Sequence, residues 1–183
     1  MATKALFNTV VNWFIRQRMD QIQQFMNHPI ETQNGVLFSQ LYHAENTDYG
    51  KIHGFSSISS YDDFRRNVPI VTYEDFEPYI EKARQGNPDV FWPGYIRKFA
   101  KSSGTTNAKS KFIPISEECL EDCHFKAGKD LLSIYANNHP ENSLFSNNYL
   151  RLGGSSELYE DFNTKFGDLS AIIIENLPFW VEI

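Results

Sequence analysis

The apolar pattern of this chain changes character at Ile96, and no other feature constrains its fold as much. Before that point apolar residues recur at three- and four-residue steps, the period of helices. After it, short apolar or alternating runs appear between helical stretches. Such alternation predicts an α/β fold, with a mainly helical prefix over 1–95 packed onto an α/β part over 96–183. At 183 residues the chain is long enough for one domain with a real core.

Local chemistry sets the expected elements. Val11, Ile15, Met19, Ile22 and Met26 make one face of a helix over 3–26. His28-Pro29 closes it, because the residue before a proline avoids the helical region. Its polar face is glutamine and asparagine rather than lysine, which reads as a packing helix and not a membrane-surface one. A second helix is predicted over 31–44. Asp48, Gly50 and Gly54 mark 46–55 as a loop. Ser60 caps a short helix that ends before Pro69. Thr72 caps a longer one, with Glu74 and Asp75 in the positively polarised first turn and Gly86 as its stop. Because Asp75 stands where a capping box has glutamate, an imperfect box is expected. Residues 87–94 read as loop. Strands are expected at 96–100 and 111–115, a helix from Ser116 to about Ala136, and further strands at 149–152 and 171–174. The last is a solid apolar run, as in a strand covered on both faces.

Composition narrows the function classes. A formal net charge of -6 and a sequence pI near 5.3 give little affinity for a phosphate backbone, so a nucleic-acid partner is not expected. Cys119 and Cys123 are too few for a secreted disulfide scaffold, and with His124 beside them they form a poor zinc pattern. They are expected to be buried or half-buried thiols in a reducing cytoplasm. No run approaches the roughly 20 apolar residues of a membrane span, so no membrane partner is expected. His28, His43, His53, His124 and His139 show no metal spacing, and no metal site is predicted. Tyr159–Phe162, with Glu160 and Asp161, reads as a surface turn rather than an acid/base pair.

The stretch 102–111 is the unusual one. Ser102, Ser103, Thr105 and Thr106 put four hydroxyls within five residues. Gly104 lets the backbone turn and approach a ligand closely. Successive N–H groups in such a turn form an anion-binding nest, and Lys109 and Lys111 add positive charge beyond it. The set suits a polyphosphate. It is not a Walker A loop, since Ala108 rather than glycine precedes Lys109, and the lone Gly104 is no dinucleotide fingerprint. The strand that follows supplies no helix N-terminus. On the residues alone a second reading stays open: a solvent-exposed hairpin on a non-catalytic helical–α/β interaction module.

The segment 101–114, KSSGTTNAKSKFIP, resembles the phosphate loop of the adenylate-forming superfamily, and within it the auxin-responsive (Gretchen-Hagen) acyl acid amido synthetases. Val68-Pro69-Ile70-Val71-Thr72-Tyr73-Glu74-Asp75, Tyr79-Ile80, Gly167-Asp168-Leu169-Ser170-Ala171 and Asn176-Leu177-Pro178-Phe179-Trp180 extend the likeness over nearly the whole chain. Asn107 and Ala108 stand where many members carry glycine, a form similar to the bacterial branch rather than the plant hormone-conjugating one. The resemblance implies the N-terminal portion of one large adenylation domain with a mixed sheet. It also implies ATP-dependent activation of a carboxylic acid, followed by transfer to the amine of an amino acid. Ser102, Ser103, Thr105 and Thr106 would then donate to the β- and γ-phosphates while Gly104 lets the backbone wrap them. Lys111 would be the catalytic loop lysine and Lys109 a second cation. Mg²⁺ would ride on the ATP phosphates, and the helix after the loop would wall the acyl pocket. Ser155-Ser156-Glu157 superficially resembles a later adenylation motif of the family but sits too early and lacks its preceding aromatic. The apolar run 177–183 and the greater length of family members lead us to expect an incomplete, inactive fragment.

Overall fold

The structure, a computed structural model, describes residues 9–10, 13, 17–102, 110–144 and 154–178. The chain forms two compact units. One comprises residues 1–32 and 118–152, the other 33–117 and 153–183.

In the first unit, α1 (Met19–Asn27) packs against α6 (Lys126–Asn138), which continues a π-helical stretch, Cys119–Phe125. Ile22, Leu120, Phe125 and Ala136 are buried there. The Arg18 guanidinium donates through both Nε and Nη2 to the Asp130 carboxylate, the latter bond 3.0 Å long. Cys119 and Cys123 form no disulfide with each other, and both are exposed, against the expectation of buried or half-buried thiols. On this helix Leu120 and Phe125 take the inward positions instead. The helix expected over 3–26 is found from Met19 to Asn27, and most of its earlier part lies outside the described residues. Its C-cap is His28, as the His-Pro pair requires.

Proline at the first position opens α2 (Pro29–Ala44), where a missing N–H costs nothing. The expected loop at 46–55 instead holds α3 (Asp48–Ile52) and a single 3₁₀ turn, Phe55–Ser57. Thr47 explains the difference. Its hydroxyl accepts from the Gly50 N–H at 3.0 Å and donates to the Ala44 carbonyl at 2.7 Å, so one buried side chain both ends α2 and starts α3. Gly50 is not a breaker: a Cβ there would lie 2.0 Å from the Ala44 oxygen, so glycine is what lets the two helices meet. The N–H groups of Asp48 and Tyr49 donate to the carbonyls of Asp89 and Val90, which anchors the 87–94 loop.

Ser60 caps α4 (Tyr61–Asn67), its side chain accepting from the Asp63 N–H. Thr72 caps α5 (Tyr73–Arg84) with a complete capping box. Its hydroxyl accepts from the Asp75 N–H at 3.3 Å, and the Asp75 carboxylate accepts from the Thr72 N–H at 2.9 Å. Aspartate therefore reaches where glutamate was thought necessary. Thr72→Ala is expected to lower stability by about 1 kcal/mol. Urea unfolding with an unchanged m-value would register it, and no loss would mean that the cap leaves the helix start unaided.

The second unit is built on one four-stranded mixed sheet, β1 (Lys98–Lys101), β2 (Phe112–Ile115), β3 (Leu158–Asp161) and β4 (Thr164–Gly167), in the order β2-β1-β4-β3. The β1–β2 and β3–β4 pairs are antiparallel; β1 and β4 run parallel, with Phe99 opposite Phe166. Neighbouring strand residues point to opposite faces, and Phe99 and Ala100 are both buried, so β1 is covered on both sides. Phe99 joins Ile80, Ala83, Val90 and Ile96 in the core, with Phe76, Phe112 and Phe166 packed around it.

The apolar run 171–174 is helical, part of α7 (Leu169–Glu175), which packs on β1 and β4 and buries Ala171 and Ile172 while Ile174 faces solvent. Only one side is covered, as a surface helix requires. The stretch read as a surface turn at 159–162 is mostly strand β3, and only Phe162 belongs to the turn, with Asn163; both carry positive φ, +46° and +62°, as a two-residue hairpin demands. The strand expected at 149–152 lies outside the described residues. Among the described residues no helix is long and apolar enough to cross a membrane.

Candidate functional site

The candidate loop is a hairpin connection. It leaves the sheet at the end of β1, returns at the start of β2, and is closed at its neck. The Ser102 N–H donates to the Lys111 carbonyl at 2.9 Å, and the Lys111 N–H donates to Ser102 Oγ at 3.2 Å. Ser102 and Lys111, nine positions apart, are thereby held side by side. Ser103, Gly104, Thr105, Thr106 and Lys109 lie outside the described residues.

Lys111 is oriented by the first turn of α5. Its ammonium donates to Glu74 Oε1 at 2.9 Å and lies 4.7 Å from the centre of the Tyr73 ring, a cation–π arrangement. Tyr73 in turn accepts the Phe112 N–H at its hydroxyl, 2.9 Å away, and so ties the helix start to β2. Pro78 cannot donate to the Glu74 carbonyl one turn earlier, yet the helix continues. The hydrogen bond from Lys111 holds the Glu74 carboxyl below its ordinary value, helped by its own backbone N–H. Both partners of this pair are solvent-accessible, Lys111 at 42% and Glu74 at 67% of the side chain.

Beside the neck lies an open groove of about 520 Å³, lined by Glu74, Glu77, Glu81, Arg84, Ser110 and Phe112 among others. Arg84 is held within it by two partners. Its guanidinium stacks 3.7 Å from the centre of the Phe112 ring, and Nη1 donates to both Glu81 oxygens at 2.8 and 3.0 Å. Among the described residues no group of three or more His, Cys, Asp or Glu is arranged to hold a metal ion.

The two backbone N–H groups at the neck are taken up by its closing bonds, and the Lys111 ammonium is turned toward Glu74. The roles of Tyr73 and Glu74 beside Lys111 escape a reading by sequence, where the two stand in a helix start and in a stretch that resembles the family. Nothing in local spacing tells that Glu74 meets a lysine 37 positions later.

The site lies in a recognised sequence context. A family profile described as "GH3 family N-terminal domain" matches residues 18–182. The jasmonoyl–L-amino acid synthetase JAR6 of Nicotiana attenuata is 37% identical over 76 residues, which are 41% of this chain and 13% of that protein. The indole-3-acetic acid-amido synthetase GH3.2 of Arabidopsis thaliana is 32% identical over 101 residues, 55% of this chain and 18% of that protein. Among solved structures, the GH3.15 acyl acid amido synthetase superposes with a TM-score of 0.68 over 88% of this chain and 29% of its own, at 21% identity, a likeness of fold. The chain thus spans about a fifth or less of the length of these curated relatives. They are plant proteins, so a bacterial-branch assignment gains no support from them. With the profile covering residues 18–182, the chain belongs to the GH3 family through its N-terminal domain.

Proposed function

We propose that this chain supplies the triphosphate-gripping part of an ATP-dependent acyl acid amido synthetase, as the N-terminal portion of one large adenylation domain. The observation that supports this reading is the closed neck of the loop, where backbone bonds hold Lys111 beside Ser102 and so set a lysine at the mouth of a serine- and threonine-rich connection.

The chemistry explains why such a mouth is useful. A carboxylate is a poor electrophile until its oxygen becomes a good leaving group. A carboxylate oxygen attacks the α-phosphorus of ATP, the bond to the bridging oxygen breaks, and pyrophosphate departs with the extra charge. The amine of an amino acid then attacks the acyl carbon, expels AMP, and an amide results. Donors aimed at the departing charge lower the first barrier most. In this reading Ser102, Ser103, Thr105 and Thr106 donate to the phosphates, Gly104 lets the backbone close around them, and Lys111, with Lys109 as a second cation, neutralises charge. Mg²⁺ on the phosphate oxygens would supply further neutralisation. The relatives' names speak of jasmonoyl and indole-3-acetic acid conjugates. We infer a carboxylic acid and an amino acid as substrates here, in the cytoplasm.

The test is a nucleotide titration of the intact protein followed by amide NMR. Signals of residues 102–111 are expected to shift with ATP and with inorganic tripolyphosphate, and far less with adenosine. Undisturbed signals at saturating ATP would remove the loop from the reaction.

A further inference from the structure

The Lys111 ammonium is not idle: it already holds a carboxylate. Glu74 Oε1 takes one of its three donors at 2.9 Å, and the Tyr73 ring covers part of the same head group. Glu74 stands on the first turn of α5, a turn fixed by the Thr72–Asp75 capping box and tied to β2 through the bond from the Phe112 N–H to Tyr73. The carboxylate is therefore delivered by a braced element and not by a wandering side chain. Both members of the pair are open to solvent, so the contact is weak enough to exchange. A polyphosphate can take that ammonium only by displacing the carboxylate from it.

From this we infer that Glu74 acts as an internal competitor for the Lys111 ammonium, occupying the cation until a triphosphate displaces it, and so sets the affinity of the loop for nucleotide. The inference rests on the reading of Lys111 as a phosphate-binding residue. Glu74 is a specificity-determining residue in this role, not a catalytic one: the weaker the charge of the incoming phosphate chain, the less able it is to displace the carboxylate. ADP is therefore disfavoured relative to ATP by more than its missing phosphate contact alone.

The experiment is titration calorimetry of the intact protein with ATP and ADP, on wild type, Glu74→Gln, Lys111→Ala and the double variant. Glu74→Gln is expected to tighten ATP binding by about two- to five-fold, the range an exposed ion pair commands, and to narrow the ATP-to-ADP preference. In the Lys111→Ala background the same change should have no effect. Unchanged or weaker binding in Glu74→Gln, with Lys111→Ala still impaired, overturns the competitor and leaves the phosphate-loop reading intact. Tightening that persists without Lys111 also overturns it, since a general field would then be the cause. If Lys111→Ala binds as well as wild type, or no variant binds, the phosphate-loop reading fails and this inference with it.

Discussion

Phe99→Ala is expected to cost about 3–5 kcal/mol of folding stability. Phe99 has no solvent exposure and sits within the cluster formed by Ile80, Ala83, Val90 and Ile96. The size of the loss depends on whether the neighbours can fall into the void. Here they cannot move far. Backbone ladders clamp β1 on both sides, Phe99 opposite Pro114 on one and Phe166 on the other. Phe112 is held too, by the Tyr73 hydroxyl on its N–H and by the Arg84 guanidinium over its ring. A rigid surround keeps the cavity open and pushes the cost toward the top of the range. Phe99→Leu should lose much less, and Ile70→Ala, at a fully exposed position, should stay within about 0.5 kcal/mol of wild type. Equilibrium urea unfolding of the three variants decides the matter. A Phe99→Ala loss below about 1 kcal/mol would mean that this cluster is not the core. The same strand ends at the mouth of the loop, so weakening β1 also loosens the neck formed by Ser102 and Lys111.

Much of the fold was legible wherever its cause is local. Ser60 and Thr72 announce helix starts because a side-chain oxygen must meet a free N–H two or three residues on, and both do so. His28-Pro29 announces a stop for an equally local reason. Errors fall where the cause is tertiary. Gly50 and Asp48 look like loop punctuation, whereas the glycine is needed for contact with the end of the preceding helix. Thr47, directly before Asp48, is the local signal for a helix start there. Four apolar residues at 171–174 carry no period of their own. Only the packing of α7 on β1 and β4 decides that Ala171 and Ile172 turn inward and Ile174 outward. The hairpin β3–β4 hides behind Phe162, a residue seldom found at positive φ, although Asn163 beside it is suited to such a turn.

The site divides the same way. Ser102 and Lys111 close one connection between two strands, and their partnership is a matter of loop length and alternation. Glu74 and Tyr73 belong to a helix start that reaches the loop only because α5 packs on the sheet beside β2. No spacing rule carries that information, so the carboxylate that pairs with Lys111 is not legible in the sequence.

Lys111→Ala is expected to reduce ATP–pyrophosphate exchange by about 10²–10³-fold in the intact enzyme, the range seen when one preorganised donor to a developing negative charge is removed. The larger loss should appear in the rate, with a smaller but measurable loss of affinity for ATP, because charge on the departing pyrophosphate is greater in the transition state than in the ground state. Stability should hardly change, since the exposed pair with Glu74 contributes little to the fold. That separation matters: a variant that melts like wild type and no longer exchanges has lost chemistry, not structure. Lys111→Arg keeps the charge but replaces a compact ammonium by a planar fork, so partial activity is expected. Exchange within twofold of wild type in Lys111→Ala, with carboxylic acid saturating, would mean that the cation at the neck plays no part in pyrophosphate departure. The serine and threonine loop would then be merely a polar connection between β1 and β2.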